Sequence, residues 1–128
     1  MRNGQWAALA ALLIGTSACM SMSSGGGGPA RVVDGAWVGQ NGMTLYTFER
    51  DGTGAGKSVC NGACATNWPP LTATAGDKSS GDWTVITRDD GSAQWAYKGK
   101  PLYFWVKDAK PGDRTGDGVN NVWRLARP

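Results

Sequence analysis

The stretch Thr84-Val85-Ile86-Thr87, Asp89-Asp90-Gly91-Ser92, Ala93-Gln94-Trp95-Ala96-Tyr97 decides the fold class. Two runs rich in β-branched and aromatic residues flank a polar, glycine-containing turn, which is the pattern of a β-hairpin. Downstream, Lys98-Gly99-Lys100 turns the chain into Pro101–Val106, another strand candidate. Upstream, Arg31–Val38, the Asn41-Gly42 turn and Met43–Arg50 repeat the theme, and Asn121–Ala126 supplies a last strand. Helix is disfavoured over residues 31–128, which hold one Glu and four Leu and are broken by Gly or Pro every few residues. The expected fold is a small all-β domain, an antiparallel sheet or sandwich of seven or eight short strands. Cys60–Trp68 reads as an irregular loop or a single helical turn.

Composition narrows the chemistry. A chain of 128 residues has room for one domain. Gly is 20 and Pro 6 of the 128, just below the level at which low complexity becomes the default. There is no His, which excludes Ser-His-Asp and Cys-His nucleophilic catalysis, His-ligated zinc and His proton shuttling. Without residues 1–18 the chain carries 12 basic and 10 acidic groups. This is too weak and too scattered a balance for a nucleic-acid partner.

The first residues read as a targeting signal. Arg2 precedes an apolar run from Trp6 to Ile14, followed by Gly-Thr-Ser-Ala-Cys ending at Cys19. That is the layout of a secretory signal peptide, and the apolar run is far short of the roughly 20 residues a spanning helix needs. Ser17-Ala18-Cys19 resembles a bacterial lipobox, in which cleavage leaves Cys19 as the first mature residue, carrying lipid; Thr16 departs from that pattern. Lipid on Cys19 would resolve the odd count of three Cys, leaving Cys60 and Cys64 as a pair. Residues 19–30, Gly- and Ser-rich, read as a flexible tether reaching about 18 Å. No other cofactor is expected.

Two segments resemble each other. Gly42-Met43-Thr44-Leu45-Tyr46-Thr47-Phe48-Glu49-Arg50-Asp51 parallels Gly99-Lys100-Pro101-Leu102-Tyr103-Phe104-Trp105-Val106-Lys107-Asp108. Each has a Trp upstream (Trp37, Trp95) and another downstream (Trp68, Trp123). The repeats run over about 34–71 and 93–126. On a strand, residues two apart share a face, so Tyr46 points with Phe48 and Tyr103 with Trp105. Asp51 and Asp108 fall where the strands should end, positions from which an Asp bonds its own backbone and closes a turn. The alternative is a pair of symmetric ligand sites, each an aromatic platform with a carboxylate.

The duplicated Tyr-x-[Phe/Trp/Tyr]-x-x-Asp pattern resembles the bacterial lipoprotein family named for that motif, a secreted repeat of unknown function. Tyr46, Phe48 and Asp51 match the first copy, and Tyr103, Trp105 and Asp108 the second. Cys60-Asn61-Gly62-Ala63-Cys64 followed by Trp68-Pro69-Pro70-Leu71 is also similar to family members. The resemblance implies an envelope protein and says little of its activity.

Cys60 and Cys64, with Gly62 between them, can close a small disulfide in an oxidising envelope. The rival is Cu(I) or redox chemistry on two thiolates, with Met43 as a soft third ligand. The Asp113-Arg114-Thr115-Gly116-Asp117-Gly118 stretch lacks the alternating ligands and final Glu of a calcium loop, so it reads as a turn, and no metal site is expected. Asp51 and Asp108 could act as paired carboxylates of a hydrolase only if the repeats bring them together. Of the six Trp after the signal, one or two could mark a binding surface, with Trp83 the first candidate.

The expectation is therefore a lipid-anchored envelope protein, in the outer membrane facing the periplasm if the cell is Gram-negative. It is expected to be a non-catalytic binding or structural module that contacts an envelope protein or a glycan.

Overall fold

The computed structural model describes residues 29–54, 56–74 and 76–128. The signal sequence, Cys19 and nearly all of the tether lie outside the described residues.

Among the described residues seven strands form, in chain order β1 (Ala30–Val33), β2 (Ala36–Gly39), β3 (Tyr46–Phe48), β4 (Trp83–Thr87), β5 (Ala93–Tyr97), β6 (Lys100–Tyr103) and β7 (Trp123–Leu125). One short helix, α1 (Ala63–Asn67), sits between the repeats' strands. β1 and β2 form a two-stranded sheet, and the other five an antiparallel sheet in the order β4-β5-β6-β3-β7. The all-β expectation holds, and the single turn of helix falls within Cys60–Trp68. The hairpin over Thr84–Tyr97 forms with Val85 opposite Trp95.

The first expected strand, Arg31–Val38, is instead a hairpin. Asp34 and Gly35 both take positive φ, 50° and 79°, the two-residue turn that an Asp-Gly pair favours because both central residues must be left-handed. The strand expected over Met43–Arg50 is also shorter, because residues Glu49–Asp51 coil into a 3-10 turn that carries Asp51 back over the sheet.

β3 and β6 lie side by side at the centre, with Tyr46 directly opposite Tyr103. Around that pair the connections repeat. The Leu71 N–H donates to the Leu102 carbonyl and the Ala126 N–H to the Leu45 carbonyl, both at 2.9 Å. The Trp95 N–H donates to the Leu71 carbonyl and the Trp37 N–H to the Ala126 carbonyl, both at 2.8 Å. In every one of these bonds one partner belongs to the first repeat and the other to the second. β7 of the second repeat pairs with β3 of the first, while Pro70 and Thr72 of the first bridge to Tyr103 and Gln94 of the second. The closing segment of each repeat thus completes the other's sheet. Because an unpaired strand edge leaves its N–H and C=O groups without partners, neither repeat has a finished sheet by itself.

Two buried clusters result. Leu45, Leu71, Trp95, Leu102 and Ala126 pack on one side; Tyr46, Cys60, Trp68, Tyr103 and Trp123 pack on the other. Alternation along β3 and β6 explains the split, since Leu45 and Leu102 point opposite to Tyr46 and Tyr103.

Candidate functional site

The second cluster holds the four aromatic residues of the duplicated motif, Tyr46, Phe48, Tyr103 and Trp105, and the two motif aspartates bond to its tyrosines. Tyr46 Oη donates to Asp108 Oδ2 at 2.7 Å, and Tyr103 Oη donates to Asp51 Oδ2. Each tyrosine therefore bonds the aspartate of the other repeat. The second oxygen of each carboxylate accepts from a loop that follows it. Asp51 Oδ1 takes the Val59 N–H at 2.8 Å; Asp108 Oδ1 takes the Thr115 N–H at 3.0 Å and its hydroxyl at 2.6 Å. Both carboxylates are buried, at 4% and 7% exposure. This corrects the expectation of a local turn-closing Asp: each spans a loop of several residues and ties it to the opposite half of the molecule.

Burial pushes the Asp51 carboxyl up, against the hydrogen bonds from Tyr103 and Val59 and the charge of Arg88, which act in the other direction. Burial, reinforced by the carboxylate each one faces, holds the Tyr46 and Tyr103 hydroxyls well above the usual phenol range. Both tyrosines are therefore donors at neutral pH, the state their bonds to carboxylates require.

Behind Asp51 lies a buried cation absent from the sequence reading. Arg88, 4% exposed, donates from Nη1 to Ser58 Oγ at 3.0 Å and Gln94 Oε1 at 2.8 Å, and from Nη2 to the Cys60 carbonyl. Ser58 Oγ also meets Tyr103 Oη. Tyr103 spends its one proton on Asp51, so Ser58 must donate to Tyr103. The donors thus run in one direction, from Arg88 through Ser58 and Tyr103 to Asp51. Gln94 Nε2 closes the network on the Leu102 carbonyl at 2.8 Å. Sequence offered only a weak signal here, an Arg beside the Asp-Asp-Gly turn.

The aromatic positions form a stack. Phe48 lies on Trp123 (4.2 Å between ring centres), Trp123 on Trp68 (3.7 Å) and Trp68 on Trp105 (3.9 Å). The outer contacts again cross the repeats, and Tyr46 and Tyr103 meet Trp68 and Trp123 edge-on. Gly116 is required beside this stack. A Cβ there would lie 2.8 Å from the Trp68 ring and 2.9 Å from the Tyr46 ring.

Cys60 and Cys64 are joined by a disulfide, which fixes the start of α1 and the loop leading to Trp68. Among the described residues no group of three or more His, Cys, Asp or Glu could hold a metal ion. Met43 sits in the turn after β2, its N–H on Asn41 Oδ1. In the 113–118 stretch, Asp113 accepts the Ala109 and Lys110 N–H groups, closing a tight turn. Trp83 is not the exposed tryptophan expected. It is half-buried, edge-on to Trp37 and packed on Tyr97, and no described tryptophan is exposed.

Two grooves flank the sheet, and the motif carboxylates line neither. One, of about 690 Å³, is bounded by Phe48, Tyr97, Lys98, Lys100, Arg124 and Arg127 among others. The other, of about 770 Å³, includes Asn41, Leu71, Asp77, Lys78, Trp95 and Phe104.

No curated protein and no solved structure matches the chain. A family described as a secreted repeat of unknown function matches residues 33–72 and 84–127, one copy over each repeat. Its description fits an extracellular or envelope location, and no helix among the described residues is long and apolar enough to cross a membrane. With two matches that together take in most of the folded residues, the chain belongs to this family of secreted repeats.

Proposed function

We propose that the protein is a non-catalytic binding or structural module, held by lipid on Cys19 at a cell-envelope membrane, where it contacts an envelope protein or a glycan. In a Gram-negative cell this is the outer membrane, facing the periplasm. The carrying observation is that the motif's reactive groups are spent on each other. Both carboxylates are buried, and each is bonded by the opposite repeat's tyrosine. A general acid or nucleophile needs a free face toward substrate, and these two carboxylates are buried and hydrogen-bonded to separate sets of partners. The hydrolase alternative through Asp51 and Asp108 is correspondingly unsupported. The copper or redox alternative would need thiolates at Cys60 and Cys64, and both sulfurs are joined in the disulfide.

The test is twofold. Cys19→Ser should move the protein from the membrane to the soluble fraction. Asp51→Ala and Asp108→Ala should lower the melting temperature before they affect capture of envelope components. Normal melting with lost capture would instead make the motif a ligand site.

A further inference from the structure

The sequence scatters its basic residues, but the fold gathers four of them around one groove. Lys98 stands on the turn between β5 and β6 and Lys100 opens β6, with Arg124 and Arg127 on and just after β7. The two segments meet because β7 is donated to the first repeat's strand. Glu49, the acidic side chain lining the groove, is already paired with Arg124 at 3.1 Å. Lys98 and Lys100 have no ion-pair partner among the described residues. Lys98 lies 5.4 Å from the centre of the Tyr97 ring. Tyr97, Phe48 and Leu125 supply apolar surface, and Thr47 and Thr53 supply hydroxyls.

A second groove offers a comparison. It overlaps the equivalent region in part: under the repeat match Phe104 stands where Thr47 does, and Leu71 and Thr72 where Ala126 and Arg127 do. Its one lining cation, Lys78, is accompanied by Asp77. The cluster of four cations belongs to the first groove alone of these two.

We propose that the groove of Lys98, Lys100, Arg124 and Arg127 binds a carboxylate-bearing glycan, a chain containing uronic acid residues. An aromatic ring with nearby hydroxyls suits the alternating CH faces and hydroxyls of a sugar. The cations suit an acidic group on it, and Arg124 already holds a carboxylate at the rim. This assignment rests on the binding-module reading and names its ligand class.

The probe is polygalacturonate, titrated onto the purified full chain at low and at physiological salt, with dextran of similar length as the neutral comparison. Polygalacturonate should bind at least about 10-fold tighter than dextran, and less tightly as salt rises. Lys98→Gln with Lys100→Gln, both at exposed positions, should weaken it about 10-fold or more with unchanged melting. Lys57→Gln with Lys110→Gln, the same charge change elsewhere, should not. Equal binding of dextran and polygalacturonate overturns the proposal, and so does equal weakening by the two double variants. The same variants in capture from envelope extract separate the two readings. If the unaltered protein captures a component that the Lys98/Lys100 variant captures equally, the module stands and this groove assignment falls. If nothing is captured at all, the module reading falls with it.

Discussion

The two Tyr–Asp latches are built alike and supported differently. At Asp108 the carboxylate is held by Tyr46 and Thr115, with no cation bonded into the set, and the loop turns tightly past Gly116. At Asp51 the carboxylate is held by Tyr103 and Val59, and a buried Arg88 feeds the network through Ser58. The loop that carries Ser58 and Val59 leads straight into the Cys60–Cys64 disulfide. A motif kept in duplicate therefore fixes one geometry, tyrosine to the opposite aspartate. The residues around it decide how much charge each copy buries. A buried carboxylate with hydrogen bonds alone can be satisfied, but a buried guanidinium commits the site to a full set of acceptors.

The largest way to break the comparison is at the cation. Arg88→Met should cost about 3–5 kcal/mol in urea unfolding, because it removes a buried charge and strands the acceptors of Ser58, Gln94 and Cys60. The Asp108 latch has no equivalent group to lose. Next comes the disulfide. Cys60→Ser with Cys64→Ser should cost less than about 3 kcal/mol, since the loop it closes is short. Amide exchange should rise at Val59 and Cys60 and leave Thr115 unchanged.

The smallest effects are in pH. The folded-state value of Asp51 is raised, so its contribution to stability is complete below the unfolded carboxylate value of about 3.9 and is lost as pH rises through the folded value. Comparing the protein with Asp51→Asn between about pH 4 and 7 should isolate that slope. On the alkaline side Tyr46 and Tyr103 are both raised. Their contribution is intact below about pH 10 and declines above it, and the ultraviolet phenolate signal of these two should appear only with unfolding.

Much of the fold was legible because hairpins are local. The β4–β5 pair could be read from one run of alternating residues and one turn. The β1–β2 hairpin is less legible: its Asp34-Gly35 turn signal sits inside Arg31–Val38, a stretch whose composition alone predicts one continuous strand. The repeat shows which residues belong together: Tyr46 and Phe48, Tyr103 and Trp105, and the downstream tryptophans Trp68 and Trp123 converge on one cluster, while the upstream Trp37 and Trp95 pack in the other. What remained hidden was the exchange. Nothing local to Tyr46 says that its partner is Asp108 rather than Asp51, because that pairing is set by β3 lying against β6. Arg88 was hidden for the same reason, as its acceptors come from two segments distant in sequence, the Ser58–Cys60 loop and Gln94 on β5. Trp83 misled because it falls outside the repeat match, yet Trp37 and Tyr97 close around it only in the folded sheet.

The exchange itself is tested most directly by double-mutant cycles on urea stability. Tyr103→Phe combined with Asp51→Asn should show a coupling of about 1–3 kcal/mol. Tyr46→Phe with Asp108→Asn should show the same kind of coupling. The pairs within one repeat, Tyr46→Phe with Asp51→Asn and Tyr103→Phe with Asp108→Asn, should be additive to within about 0.5 kcal/mol. Coupling inside the repeats with additivity across them would contradict the account.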